Sequence, residues 1–201
     1  IGLAELRGVG ELQALAPSEL VARLSTPGDA GAAAVPALLQ LGDAGVDAVV
    51  GAFDALDALG RQRALGVLEN APCRQVAQVY AGLLGATDES QQRRAEQRLR
   101  RCGAEAEPAL RRAFDQGAGE AGVRFALELA RVAPALSVEL LGPRLAAAAA
   151  EHRPGYRDAL SRAAREPTAH PEARRLLAAR GLGVTAQLDV LRALSDQLSN
   201  L

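Results

Sequence analysis

The segment Gly42-Asp-Ala-Gly-Val-Asp-Ala-Val-Val-Gly-Ala-Phe-Asp54 decides the fold, because it returns as Gly103-Ala-Glu-Ala-Glu-Pro-Ala-Leu-Arg-Arg-Ala-Phe-Asp115. Gly42 aligns with Gly103, Ala48 with Ala109, Val49 with Leu110, Ala52 with Ala113, and Phe53-Asp54 with Phe114-Asp115. The offset is 61 residues, two units of about thirty. Self-similarity at such a period marks a repeat architecture, in which one supersecondary unit recurs and buries its apolar face only by stacking on its neighbours.

Working outward, unit starts fall near Asp29, Leu59, Asp88 and Ala118. Apolar residues recur at helical spacing nearly everywhere and no alternation of period two persists, so each unit reads as two helices joined by a tight turn. The expected pairs are 30–41 with 44–58, 60–70 with 73–85, 89–102 with 104–116, and 119–132 with 135–150. Helices at 2–15 and 17–25 precede them, and helices at 155–166, 170–180 and 184–199 follow. The segment 151–170 breaks the thirty-residue beat and leaves the pairing beyond residue 150 open by one helix. Within 44–58, Val46, Val49, Phe53 and Leu56 form the apolar stripe; within 89–102, Ala95, Leu99 and Cys102 do so. Ser18 is placed as an N-cap with Glu19 in the first turn, and Thr87, Asp88, Glu89 and Ser90 make a similar start. Gly42, Gly103 and Gly181 sit where helices should stop, and Pro143 should kink or end its helix near Gly142.

Composition agrees with an all-helical core. Of the residues 49% are apolar, yet the aromatics are only Phe53, Phe114, Phe125, Tyr80 and Tyr156, with no Trp and no Met. Leu, Val and Ala must therefore fill the interior, and Ala and Leu lead the helix scale. Every basic residue is Arg, which together with abundant Ala, Gly and Leu points to a GC-rich bacterial genome. Ile1 at the start of a chain without Met points to a piece of a longer or processed protein. The most apolar run, Leu145 to Ala150, lies between Arg144 and Glu151, far short of the roughly 20 residues of a membrane span. The net charge of −1 hides an asymmetry: residues 1–60 hold eight acids and two arginines, residues 61–201 sixteen acids and twenty-one arginines. Opposite signs at the two ends would favour head-to-tail self-association or an anionic partner, against the simpler reading of an unevenly charged solvated surface.

The phrases Val35-Pro-Ala-Leu-Leu39 and Glu107-Pro-Ala-Leu110 resemble the Val-Pro-Ala-Leu phrase of bacterial HEAT-like repeats. So does Pro171-Glu-Ala-Arg-Arg-Leu-Leu-Ala-Ala-Arg-Gly-Leu-Gly183, followed by Leu188 to Leu194. These are the short units known from phycobilisome lyases, and the resemblance covers about three quarters of the chain. It implies an all-α fold, a right-handed α-solenoid of stacked antiparallel helix pairs, as a single domain over residues 1–201. The phrase falls in a first helix at Pro36 and in a second helix at Pro108, which departs from a strict repeat.

Side chains that could carry chemistry are few. Cys73 and Cys102 lie almost one repeat apart, both at the turn between the two helices of a unit. Neighbouring helices sit roughly 8–10 Å apart and a disulfide needs Cα atoms within about 7 Å, so bridging requires close stacking. The alternative is two small buried thiols used as apolar fillers. A bridge implies a periplasmic or secreted chain; without one, the cytoplasm is favoured. His152 and His170 each have an acidic neighbour, Glu151 and Glu172, but form no Cys/His cluster with metal-ligand spacing, so no metal site is expected. Gly8–Gly10 and Gly181–Gly183 follow no strand and make no nucleotide loop, and no Ser sits in a nucleophile elbow. The acid pairs Asp43/Asp47 and Glu105/Glu107 read as solvated helix faces. Arg93, Arg94, Arg98, Arg100, Arg101, Arg111 and Arg112 cluster within twenty residues, with Glu96, Glu105, Glu107 and Asp115 interleaved and Glu107/Arg111 at ion-pair spacing. That interleaving, the missing Trp and a pI near 6.2 argue against nucleic acid.

The expected function is that of a non-enzymatic scaffold binding another protein on a curved surface lined by second helices, with Asp54, Arg111 and Arg112 as exposed contact residues and no cofactor. The competing readings are an enzyme on a HEAT-like scaffold, lyase or DNA-glycosylase in type, and a nucleic-acid-binding module.

Overall fold

The computed structural model describes residues 15–178 and 183–198, the stretch 193–198 by its backbone alone. The helix expected over 2–15, the Gly8–Gly10 motif and the stop at Gly181 lie outside the described residues. The helices are α1 (Pro17–Arg23), α2 (Asp29–Gln40), α3 (Asp43–Ala52), α4 (Ala58–Leu68), α5 (Cys73–Leu84) and α6 (Glu89–Cys102). They continue as α7 (Glu107–Gln116), α8 (Gly119–Val132), α9 (Pro134–Ala147), α10 (Arg153–Arg165), α11 (His170–Ala178) and α12 (Val184–Leu198). Short 3-10 turns occupy Phe53–Ala55, Gly103–Ala106 and Pro167–Ala169, and there is no strand among the described residues. The chain is all-α, as its periodicity predicts.

Local chemistry sets the boundaries, and in places it moves them. Asp88 caps α6: its Oδ1 accepts the backbone N–H of Ser90 at 2.7 Å and of Gln91 at 3.2 Å, and the Ser90 hydroxyl at 2.6 Å. The Ser90 hydroxyl, then the two amides, hold the Asp88 carboxyl below its ordinary range. Ser18, by contrast, is not a cap. The helix begins at Pro17, which needs no amide partner, and the Glu19 carboxylate takes the Ala16 N–H at 2.9 Å. The helix expected over 44–58 ends at Ala52; the chain passes through a 3-10 turn and extends at Leu56 so that Asp57 can cap α4 through the Gly60 N–H at 2.7 Å. Pro143 does not end its helix: α9 continues to Ala147. Glu139, whose carbonyl the ring displaces, is an exposed residue, so water can take the freed acceptor.

The helices divide into two compact units, Ile1–Val79 and Tyr80–Leu201, with the division inside α5. In the first unit α1 packs on α2 and α3, and α4 packs on α2 and α3. Leu20, Leu24, Leu38, Val49, Phe53 and Leu68 form its core. In the second unit α8 packs on α6, α7, α9 and α10, α10 on α9 and α12, and α9 on α11. Its core holds Tyr80, Leu99, Leu110, Phe114, Leu129, Leu141 and Leu160, with Phe114 and Tyr156 edge to face at 6.5 Å. Within each unit, then, the packed pairs are helices one, two or three places apart in the chain.

The 61-residue correspondence holds in the backbone. Gly42 has φ 57 and ψ −130, and Gly103 has φ 54 and ψ −133. Both are positive-φ conformations that side-chain-bearing residues rarely adopt. Val49 and Leu110 are fully buried, and Phe53 and Phe114 nearly so.

Candidate functional site

Where the arginines go decides what surface is left for binding. Several of them serve carbonyls at or just beyond helix ends, Arg63, Arg124 and Arg144 among the described residues most extensively. Arg63 on α4 donates to the carbonyls of Leu24 at 2.9 Å, Thr26 at 2.5 Å and Gly28 at 3.1 Å, where α1 has ended. Arg124 on α8 donates to the carbonyls of Leu84, the last residue of α5, at 3.1 Å and of Ala86, just beyond it, at 3.5 Å. Arg144 on α9 donates to Phe114 at 2.7 Å, Gly117 at 3.3 Å and Asp115 at 3.4 Å, where α7 ends, and lies 4.6 Å over the Phe114 ring. A planar fork of donors suits several carbonyls at once, which an ammonium cannot match.

In the second unit, α6, α8 and α10 carry a charged ladder centred on Glu128. Its side chain is 4% exposed, against 47% for Arg100 and 39% for Arg131. Oε1 accepts from Arg131 at 2.8 Å and from Arg100, across on α6, at 3.4 Å. Arg100 also reaches Glu96 at 3.1 Å, and on α10 Arg162 pairs with Asp158 at 2.8 Å. Oε2 of Glu128 is buried without a hydrogen-bond partner. Burial raises the Glu128 carboxyl above its ordinary value; Arg131 and Arg100 oppose this, and Glu96 adds to it. Burial prevails because both guanidinium groups remain well solvated and so attract weakly. The arrangement ties α6 to α8.

A second feature is a groove of about 490 Å³ beside α9, α10 and α12. Leu145, Ala146, Pro154 and Val184 give it apolar walls, and Arg153, Arg157 and Thr185 give it polar ones. Its size falls within the range of small-ligand sites, roughly 300–1,000 Å³.

Of the residues expected to contact a partner, Asp54 is exposed in the 3-10 turn after α3, in the first unit, and Arg111 and Arg112 are adjacent and exposed on α7, in the second. The expected Glu107–Arg111 ion pair does not form, and Arg111 has no ion-pair partner among the described residues. The pairs on α6 form instead, Glu89–Arg93 at 3.7 Å and Glu96–Arg100 at 3.1 Å. Cys73 opens α5 and Cys102 closes α6; both are disulfide-bonded. His152 precedes α10 and His170 opens α11, both partly buried, and no metal-binding cluster occurs among the described residues. Glu128, the Arg63 and Arg124 contacts and the groove escape a reading by motif. Extending the Gly42/Gly103 alignment past Asp54 and Asp115 pairs Arg63 with Arg124, the one signal that points to them.

The chain significantly matches no protein-family model, no curated protein and no solved structure.

Proposed function

We propose that the chain is a HEAT-like scaffold, a right-handed α-solenoid of stacked helix pairs that binds another protein and performs no catalysis. One observation carries this reading: Arg63 and Arg124, 61 residues apart, make the same guanidinium-to-carbonyl contact. A duplicated helix-pair unit that keeps its contacts would behave so, and the packing within each unit of helices that are near neighbours in the chain fits stacked units. Arg111 and Arg112 are the contact residues for an acidic partner, since Arg111 is exposed and makes no ion pair among the described residues. The oxidised cysteines favour an oxidising compartment, periplasmic or extracellular.

The test is a photo-crosslinking residue placed at Arg111 in extract of the source cell. The scaffold reading predicts capture of a defined protein, and loss of that capture when Arg112→Glu is added and when either arginine is reversed in a pull-down. Capture that is indifferent to both arginines, or no capture, counts against it.

A further inference from the structure

We infer that the groove beside α9, α10 and α12 is a binding site for a monocarboxylate carried on an apolar group. The inference stands apart from the scaffold reading. Arg153 and Arg157 lie one turn apart on α10, so their side chains share a face, and both line the groove. Arg153 uses its Nε on the Ala148 carbonyl at 3.0 Å and makes no ion pair among the described residues. Arg157 is two-thirds buried, and its Nε has no hydrogen-bond acceptor: the Asp189 carboxylate stands 3.8 Å away, beyond hydrogen-bond reach. Both arginines thus line one cavity, and neither guanidinium is hydrogen-bonded to a carboxylate among the described residues.

Charge and lining choose the ligand. Asp189 offsets part of the Arg157 charge, which leaves an excess of about one positive charge and favours a monoanion over phosphate. Thr185 and the first-turn amides of α12, which have no intrahelical acceptors, add donors on the facing wall. Leu145, Ala146, Pro154 and Val184 supply the apolar walls, so the group bearing the carboxylate is hydrocarbon-like. Two sources share this chemistry, a free aliphatic acid and the C-terminus of a peptide ending in an apolar residue.

Calorimetric titration of the full chain with octanoate, octanol, inorganic phosphate and acetyl-Ala-Leu carrying a free carboxylate tests the inference. At least one carboxylate should bind, with octanol and phosphate roughly tenfold weaker or worse. The tighter carboxylate identifies the source. Arg153→Gln and Arg157→Gln should each weaken binding by roughly tenfold. Val184→Glu is a second variant: Val184 is 75% exposed, so its replacement leaves the fold intact while setting a like charge in the groove. It should weaken the carboxylate more than octanol. Equal binding of octanol or phosphate, no binding of either carboxylate, or binding indifferent to Val184→Glu would overturn the inference.

Discussion

Arg63 and Arg124 make one contact twice: each guanidinium donates to the carbonyl of a leucine at the end of an earlier helix, Leu24 at 2.9 Å and Leu84 at 3.1 Å. Each also reaches a second carbonyl two residues on, Thr26 at 2.5 Å and Ala86 at 3.5 Å. The arginine and the leucine whose carbonyl it reaches are 39 residues apart in sequence in one case and 40 in the other. The contact solves a general problem, since a helix that stops inside a packed array leaves carbonyls that water reaches poorly.

Gly42 and Gly103 should resist substitution to the same degree. Their φ of 57 and 54 lies in a region nearly closed to residues with a Cβ, although neither would place a Cβ against a neighbour. Gly42→Ala and Gly103→Ala should each cost about 1–3 kcal/mol from backbone strain alone. Urea unfolding checks this; a loss at one site and none at the other would show that the two turns are not equivalent.

A different penalty applies at Gly45, whose backbone lies against the Leu38 carbonyl where α2 meets α3. A methyl group there collides with backbone, which cannot swing aside. Gly45→Ala should therefore destabilise by about 1–3 kcal/mol despite the better helix propensity of Ala. A thermal melt that rises instead would contradict the packing of α2 on α3.

Glu128 makes a prediction of opposite sign to the N-cap aspartates. Its folded-state value is raised above the ordinary 4.5, so the folded state holds the proton more tightly than the unfolded chain does. Its contribution is therefore fully present below about pH 4.5 and is lost as pH rises through the raised folded value. Glu128→Gln removes the titration and keeps the shape. Unfolding free energies of the two proteins should diverge in favour of the variant as pH rises above about 4.5. Asp57 and Asp88 are lowered, chiefly by the Gly60 amide and the Ser90 hydroxyl, so their contributions are present above about pH 4 and are lost on acidification. A wild-type preference that grows with pH at position 128 would show that the two arginines outweigh burial.

How much of this was legible beforehand depends on the kind of signal. Helix positions were, because apolar spacing and the Asp88 cap are local: the expected 89–102 and 119–132 are the observed α6 and α8. The stripe Val46, Val49, Phe53 and Leu56 is buried as expected, yet Leu56 lies beyond the end of its helix, since burial does not reveal where Asp57 needs the chain extended. Pro143 does not end its helix, because proline's cost depends on whether the displaced carbonyl meets water. Glu128 was unreadable: a glutamate flanked by Leu127 and Leu129 looks like any surface acid until Arg100 is brought across from α6.

The cysteines provide a direct chemical check. Alkylation of the non-reduced protein should leave both Cys73 and Cys102 unmodified, and alkylation after reduction should modify both. Modification without reductant would remove the support for an oxidising compartment.

The repeat itself is tested most directly by measuring the unfolding free energy of Arg63→Ala beside that of Arg124→Ala. Each variant leaves helix-end carbonyls without their charged donor, and each should lose about 1–3 kcal/mol, the two losses agreeing to within about 1 kcal/mol. Lysine at either position should recover less than half, because a compact ammonium lacks the guanidinium's planar, preorganised spread of donors. A loss at one arginine and none at the other would contradict the duplicated unit on which the scaffold reading stands.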